Sequence, residues 1–203
     1  MRLFAVLSSL LLGACTVVGV RGGTEEPRFE VIDQRGAVEI RHYGPRLAAE
    51  TIVASPSETA ARSEGFRRLA GYIFGGNQAA AKIAMTAPVA QSSEHIAMTA
   101  PVGASPAGDG RWAIRFFMPA SFSRETLPVP NDPLVRIVDV PAETMAVLRY
   151  SGAPTAEAAA EQRAALLTAL ASGPWQAAGD AGDWFYDPPW TLPPFRRNEA
   201  VVS

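Results

Sequence analysis

The chain of 203 residues contains one cysteine, two histidines and one lysine. Each scarcity removes a class of chemistry. A lone Cys15 forbids an intramolecular disulfide and leaves no set of thiolates for a structural zinc or an iron–sulfur cluster. His42 and His95 are too few for a three-ligand metal site unless carboxylates from distant segments join them. No H-E-x-x-H, Walker A or G-x-S-x-G string occurs, so no catalytic constellation can be named. Basic residues do not exceed acidic ones: 18 Lys and Arg face 20 Asp and Glu, a formal net charge of −2, which argues against nucleic acid as a main partner. Lys82 is the only lysine; the other 17 basic residues are arginines, a bias that reads first as genomic composition.

What is present begins at the N-terminus. Arg2 precedes the apolar run Leu3 to Leu12, and Gly13-Ala14-Cys15 follows. A basic start, a short apolar core and small residues before a cut make a secretory signal. The run is short of the about 20 apolar residues that a membrane-spanning helix needs. Leu12-Gly13-Ala14-Cys15 resembles the bacterial lipobox, which implies a signal peptide over 1–14, cleavage before Cys15 and lipidation of that residue. An ordinary signal peptide with an incidental cysteine is the plainer reading. Several acyl chains anchor stably where one is marginal. Thr16 follows the cysteine in place of a retention-signalling Asp, so the expected location is the periplasmic side of the outer membrane if the host is Gram-negative. Residues 15–27 then read as lipidated cysteine and tether, and 28–203 as one domain, large enough to bury its own core.

Ile83-Ala84-Met85-Thr86-Ala87-Pro88-Val89 returns unchanged thirteen residues later as Ile96 to Val102. Neither copy holds a His, Cys, Asp or Glu, so both read as structure shaping an apolar site, each a short strand broken by its proline, with Gln91 to Glu94 as the turn between. Val38 to Tyr43 alternates as a half-buried strand, with Val38, Ile40 and His42 on one face and Glu39, Arg41 and Tyr43 on the other. Gly44-Pro45 turns the chain into a strand over Leu47 to Val53. A helix opens at Ser55 or Ser57, carries Glu58 in its first turn, and runs to about Phe74, before Gly75-Gly76. Its face holds Phe66, Leu69 and Ile73, extended by Arg62 and flanked by Arg67 and Arg68. Later come strands at Trp112 to Met118, Val135 to Val140 and Thr144 to Tyr150, a helix capped by Thr155, and strands at Trp184 to Tyr186 and Arg196 to Val202. Each half reads β, α, β, β after an introductory strand. The expected fold is α+β: two such halves suggest a curved antiparallel sheet or open barrel with two α-helices packed against it.

With Phe29 to Tyr43, Gly65 to Asn77, both repeat strings, Phe117-Met118-Pro119, Thr126 to Asp132, Ala146 to Gly152 and Tyr186 to Glu199, the chain resembles the SOUL haem-binding protein family over residues 29–202. The resemblance implies a distorted antiparallel β-barrel built from two βαββ halves and flanked by two α-helices, with a haem or related tetrapyrrole held in an apolar groove beside the first helix. It names no axial ligand. Haem asks for a flat apolar cleft, cationic partners for two propionates, and optionally a ligand on iron. The haem-binding candidates are therefore Phe66, Leu69, Ile73, Met85 and Met98 for the wall, Arg62 and Arg67 (with Arg68 beside them) for the propionates, and His42 for the iron; His95, Tyr43 and Lys82 rank behind, and each wall residue reads equally as core. The proline-rich segment from Tyr186 to Asn198, with Trp190 and Phe195, reads as a rigid cover over one barrel end. The expected function is a lipid-anchored haem or porphyrin binder with no enzymatic role. A module for another apolar ligand or an envelope protein, and an enzyme acting on a tetrapyrrole, stay open. Mass spectrometry of the mature protein is expected to show an acylated N-terminal Cys15; an unmodified cysteine would overturn the anchor.

Overall fold

The computed structural model describes residues 24–93, 110–188 and 190–203. Among them run the strands β1 (Phe29–Arg35), β2 (Val38–Tyr43) and β3 (Arg46–Ala54), the helix α1 (Glu58–Ile73), and strands β4 (Val89–Ser93), β5 (Arg111–Phe117), β6 (Val135–Val140) and β7 (Glu143–Tyr150). The helix α2 (Ala156–Ala171) and strands β8 (Gly182–Phe185) and β9 (Asn198–Val202) complete the order. Both helices begin where the sequence supplies a cap: Ser57 Oγ accepts from Ala60 N at 3.2 Å, and Thr155 Oγ1 from Ala158 N at 3.2 Å. α1 stops at Phe74, where Gly75 turns with φ +112°.

All pairings are antiparallel, in the order β1-β2-β7-β9-β8-β4-β5-β3-β6. Exchanging β2-β3-α1-β4-β5 with β6-β7-α2-β8-β9 reverses this order onto itself, so the halves are related by a pseudo-two-fold axis between β4 and β8. Each half lends its introductory strand to the other: β2 pairs with β7, and β6 with β3.

This arrangement forces a curl. β2 and β3 stand six places apart in the sheet, yet only Gly44 and Pro45 join them; Pro141-Ala142 joins β6 to β7 across the same gap. In a flat sheet six spacings amount to roughly 29 Å, whereas a two-residue link reaches only about 10 Å. The sheet therefore bends until its ends meet around a common interior. Arg46 marks that interior: its guanidinium carbon lies 4.7 Å from the ring centres of both Tyr43 and Phe117 and 6.0 Å from that of Trp184. The result is an open half-barrel, the curled α+β arrangement that was expected. β1 extends the sheet beyond β2 through the hairpin at Gly36, so the two edges of the open sheet are β1 and β6.

The helices cover the outer face. Leu69, Tyr72 and Ile73 of α1 pack with Ala49, Ile114 and Phe116, while Leu166 and Leu170 of α2 pack with Ile40, Ala146 and Ala200. The inner face is lined by Tyr43, Phe117, Met145, Trp184 and Tyr186, and it also holds buried charge. Glu199 receives Arg41 at 3.0 Å, Arg197 at 2.9 Å and the Tyr186 hydroxyl at 2.6 Å; Glu50 receives Arg115 at 2.6 Å and Arg136 at 2.7 Å.

Two local expectations change. Gln91 to Ser93, expected as a turn, is strand, because β4 lies between two partners, β5 and β8, whose ladders outweigh the polar composition. The first repeat string is mostly not strand: only Val89 belongs to β4, and Thr86 is fixed instead by an isolated bridge to Glu25 and by its hydroxyl donating to the Phe117 carbonyl. The second copy, with Met98 and His95, lies outside the described residues.

Gly65 is where α1 comes closest to the sheet, and a Cβ there would enter the Ile114 side chain. Gly65→Ala is expected to destabilise the fold by about 1–3 kcal/mol through overpacking, read by chemical denaturation; an unchanged midpoint would mean that α1 is free to lift.

Candidate functional site

The helix expected to wall the ligand turns most of that wall inward. Leu69 and Ile73 are 0 % and 1 % exposed, held in the core under α1, and cannot touch a ligand on its outer face. Phe66 is 39 % exposed, its ring in edge contact with Phe116 at 5.3 Å, and Phe74 is 62 % exposed. Met85 is exposed in the segment before β4. Of the arginines, Arg67 lies in solvent beside its ion-pair partner Glu64, and Arg68 also pairs with Glu64 at 2.8 Å. Arg62 points the other way: its Nη2 donates to the Pro154 carbonyl at 2.8 Å and its guanidinium stacks on Phe185 at 4.4 Å.

His42 keeps the strand face expected of it but stands at the strand end, exposed, with Nδ1 3.3 Å from Thr144 Oγ1. β2 pairs with β7 on the α2 side of the sheet, whereas α1 packs on β3, β5 and β6. His42 is therefore not brought to the outer face of α1. Lys82 is exposed, and Tyr43 is buried inside the curl, where burial pushes its hydroxyl up to about 12. Trp190 and Phe195 are exposed. Among the described residues no cluster of three His, Cys, Asp or Glu could hold a metal ion.

Two features were not foreseen. The first is a cavity of about 630 Å³ at one mouth of the half-barrel, between the two-residue links and the segment Glu25 to Arg28. The N-terminal wall is docked rather than trailing as a tether: Ala87 N donates to the Glu25 carbonyl at 3.0 Å, Ala120 N to Glu25 Oε1 at 2.8 Å, and Arg197 pairs with Glu26 at 3.0 Å. No periodicity announces this cavity, because it is made where segments far apart in the chain meet.

The second is a buried polar cluster between the helices, over β4 and β8. Arg163 of α2 reaches both oxygens of Glu58 on α1 at 3.2 Å and also pairs with Asp183 on β8. Gln91 stands directly opposite Asp183 in the ladder and donates to the Glu58 carbonyl at 3.0 Å. Arg62 Nη1, Gln91 Oε1, Tyr150 Oη and Asp183 Oδ1 are buried in this cluster without a hydrogen-bond partner. No sequence signal marked this cluster: Gln91 stands in the polar run Gln91-Ser92-Ser93, and Asp183 follows Gly182, so both read as polar positions facing solvent.

The described residues form a duplicated βαββ half-barrel with a cavity at one mouth. The profile of the SOUL heme-binding protein family matches residues 24–203, and the chain belongs to that family. It is 32% identical over 162 residues to "Heme-binding protein 2" of Mus musculus, covering 75% of each chain, and 33% identical over 137 residues to that of Homo sapiens, covering 68% of this chain and 63% of that one. In fold it is similar to the EcmrR C-terminal domain (TM-score 0.58, 9% identity, 81% of this chain and 94% of that one). It is also similar to an uncharacterized conserved protein from Listeria innocua (TM-score 0.53, 9% identity, 83% and 92%).

Burial pushes the Asp183 carboxyl up to about 6, more than Arg163 beside it can offset. The folded chain thus holds this proton more tightly than the unfolded one. The stability it contributes is full below the ordinary carboxylate range and is lost as pH rises through about 6, a difference of roughly 3 kcal/mol. Asp183→Asn is expected to flatten the dependence of unfolding free energy on pH between 4 and 7; parallel profiles for the two proteins would show that the carboxyl titrates normally.

Proposed function

We propose that this chain is a lipid-anchored haem or tetrapyrrole binder that buffers or hands on its ligand in the cell envelope, on the periplasmic side of the outer membrane in a Gram-negative host. The observation that carries the reading is its membership of the SOUL heme-binding protein family across the whole described domain. The names of the mouse and human relatives point the same way. The residues fit such a ligand. A cavity of about 630 Å³ lies within the range of roughly 300–1,000 Å³ typical of small-molecule pockets. Apolar side chains dominate its walls, and Arg28 and Arg46 lie among them. Arginine pairs well with the carboxylates that a tetrapyrrole carries. An open half-barrel leaves its contents within reach of a receiving molecule, which suits transfer better than permanent retention. Redox chemistry would be supplied by the haem; the chain's part is to bind and orient it. Anchoring is supported by Leu12-Gly13-Ala14-Cys15 and the short apolar run before it.

Titration of the full chain with haemin is expected to give a saturable Soret shift at one-to-one stoichiometry, and His42→Ala is expected to leave it unchanged, since that imidazole sits on the outer face of β2. No saturable shift would overturn the haem reading. Loss of the spectrum in the variant would make His42 the iron ligand.

A further inference from the structure

The polar cluster between the helices sits at the pseudo-two-fold axis, and both halves of the chain build it. Gln91 on β4 and Asp183 on β8 face each other in the ladder at that axis, 2 % and 1 % exposed. Arg62 reaches in from α1, and Tyr150 from the end of β7. Each of the four carries one buried polar atom with no partner among the described residues. Arg62 Nη1 and Tyr150 Oη can donate there, while Gln91 Oε1 and Asp183 Oδ1 can accept. These groups are neighbours: Arg62 and Asp183 both act on the ionisation of Tyr150, and Arg62 acts on that of Asp183. Burial and the nearby Asp183 carboxylate push the Tyr150 hydroxyl up, which keeps it a donor.

The remaining atoms of these side chains are already committed. Arg62 Nη2 donates to the Pro154 carbonyl at 2.8 Å, and its guanidinium lies over the Phe185 ring. Gln91 Nε2 donates to the Glu58 carbonyl at 3.0 Å. Asp183 Oδ2 receives Arg163, and the Asp183 backbone is paired on both sides, by β4 and β9. None of the three can turn toward another without giving up a bond it makes. Arg62 and Asp183 have opposite charges, yet Arg62 Nη1 and Asp183 Oδ1 do not bond directly. A separate molecule is needed to join them.

The chemistry of the site narrows that guest. A cation would suit Gln91 and Asp183 but would lie among Arg62 and Arg163. An anion would suit Arg62 and Tyr150 but would lie against Glu58 and Asp183. The two arginines and two carboxylates already balance in charge. A neutral centre that donates and accepts at once can serve both kinds of orphan. Water does this, and a buried water typically makes about three hydrogen bonds.

We propose that Arg62, Gln91, Tyr150 and Asp183 form an internal water site at the pseudo-two-fold axis, where bound water completes the hydrogen bonding that ties the two halves together. The site lies under the helices and is independent of the haem reading.

A high-resolution crystal structure of the full chain, with Tyr150→Phe beside it, tests the site. The parent is expected to show an ordered water bonded to Asp183 Oδ1 and to Arg62 Nη1 or Tyr150 Oη. Tyr150→Phe is expected to lose or displace that water, with a midpoint in chemical denaturation no higher than the parent's. Deleting a hydroxyl that is bare in the folded protein relieves its desolvation cost, so a raised midpoint would overturn the site. No ordered density among the four atoms, a direct bond from Arg62 Nη1 to Asp183 Oδ1, or an ion in place of water would overturn it as well.

Discussion

The Gly44-Pro45 and Pro141-Ala142 links impose the geometry on which everything else depends. Each must cross six strand spacings with two residues, which only a curled sheet allows. The curl gives the sheet an inside and an outside with different chemistry. Outside, two helices bury aliphatic side chains in the ordinary way. Inside there is no helix, and the space is filled by aromatic rings around Arg46. The guanidinium serves as a packing element as much as a charge, since its flat face can stack on rings while its edge donates to Glu143.

An interior with that much charge is stable only while every member is paired. Glu199 is fully buried and takes two arginines and a tyrosine hydroxyl, so removing one partner would leave a charge stranded rather than merely lose a contact. Breaking buried pairs of this kind typically costs about 3–5 kcal/mol. The interhelical cluster is the counterexample within the same molecule. Arg163 ties α2 to α1 and β8, but four polar atoms around it are left over. α2 buries little else than Ala159, Leu166 and Leu170, so this ion pair is a substantial part of what seats it.

The sequence was informative wherever local rules decide the outcome. Ser57 and Thr155 cap the helices they were expected to cap, and the order β, α, β, β in each half survives in the structure. It was misleading where pairing partners decide. Gln91 to Ser93 looks like a turn and is strand because β5 and β8 claim both of its edges. The expected curled antiparallel sheet with two helices is what forms, but nothing in Phe29 to Arg35 says how far the curl goes before it stops as a half-barrel between the edges β1 and β6. The candidate site was legible only in part. Helical spacing groups Leu69 and Ile73 with Phe66, but such spacing identifies a face packed on the core: Leu69 and Ile73 are buried there, while Phe66 stays exposed at its margin. Arg46 was not singled out, because its importance comes from Tyr43, Phe117 and Trp184, which lie far apart along the chain.

The mouth of the half-barrel also joins the ligand question to the anchoring question. Its wall, Glu25 to Arg28, is docked on the domain. Cys15 precedes Glu25 by ten residues, so an acylated Cys15 would keep the mouth within roughly 35 Å of the lipid surface. Were Cys15 acylated, any ligand held by the domain would be exchanged with that surface at a raised local concentration, because the tether confines both to the same short range.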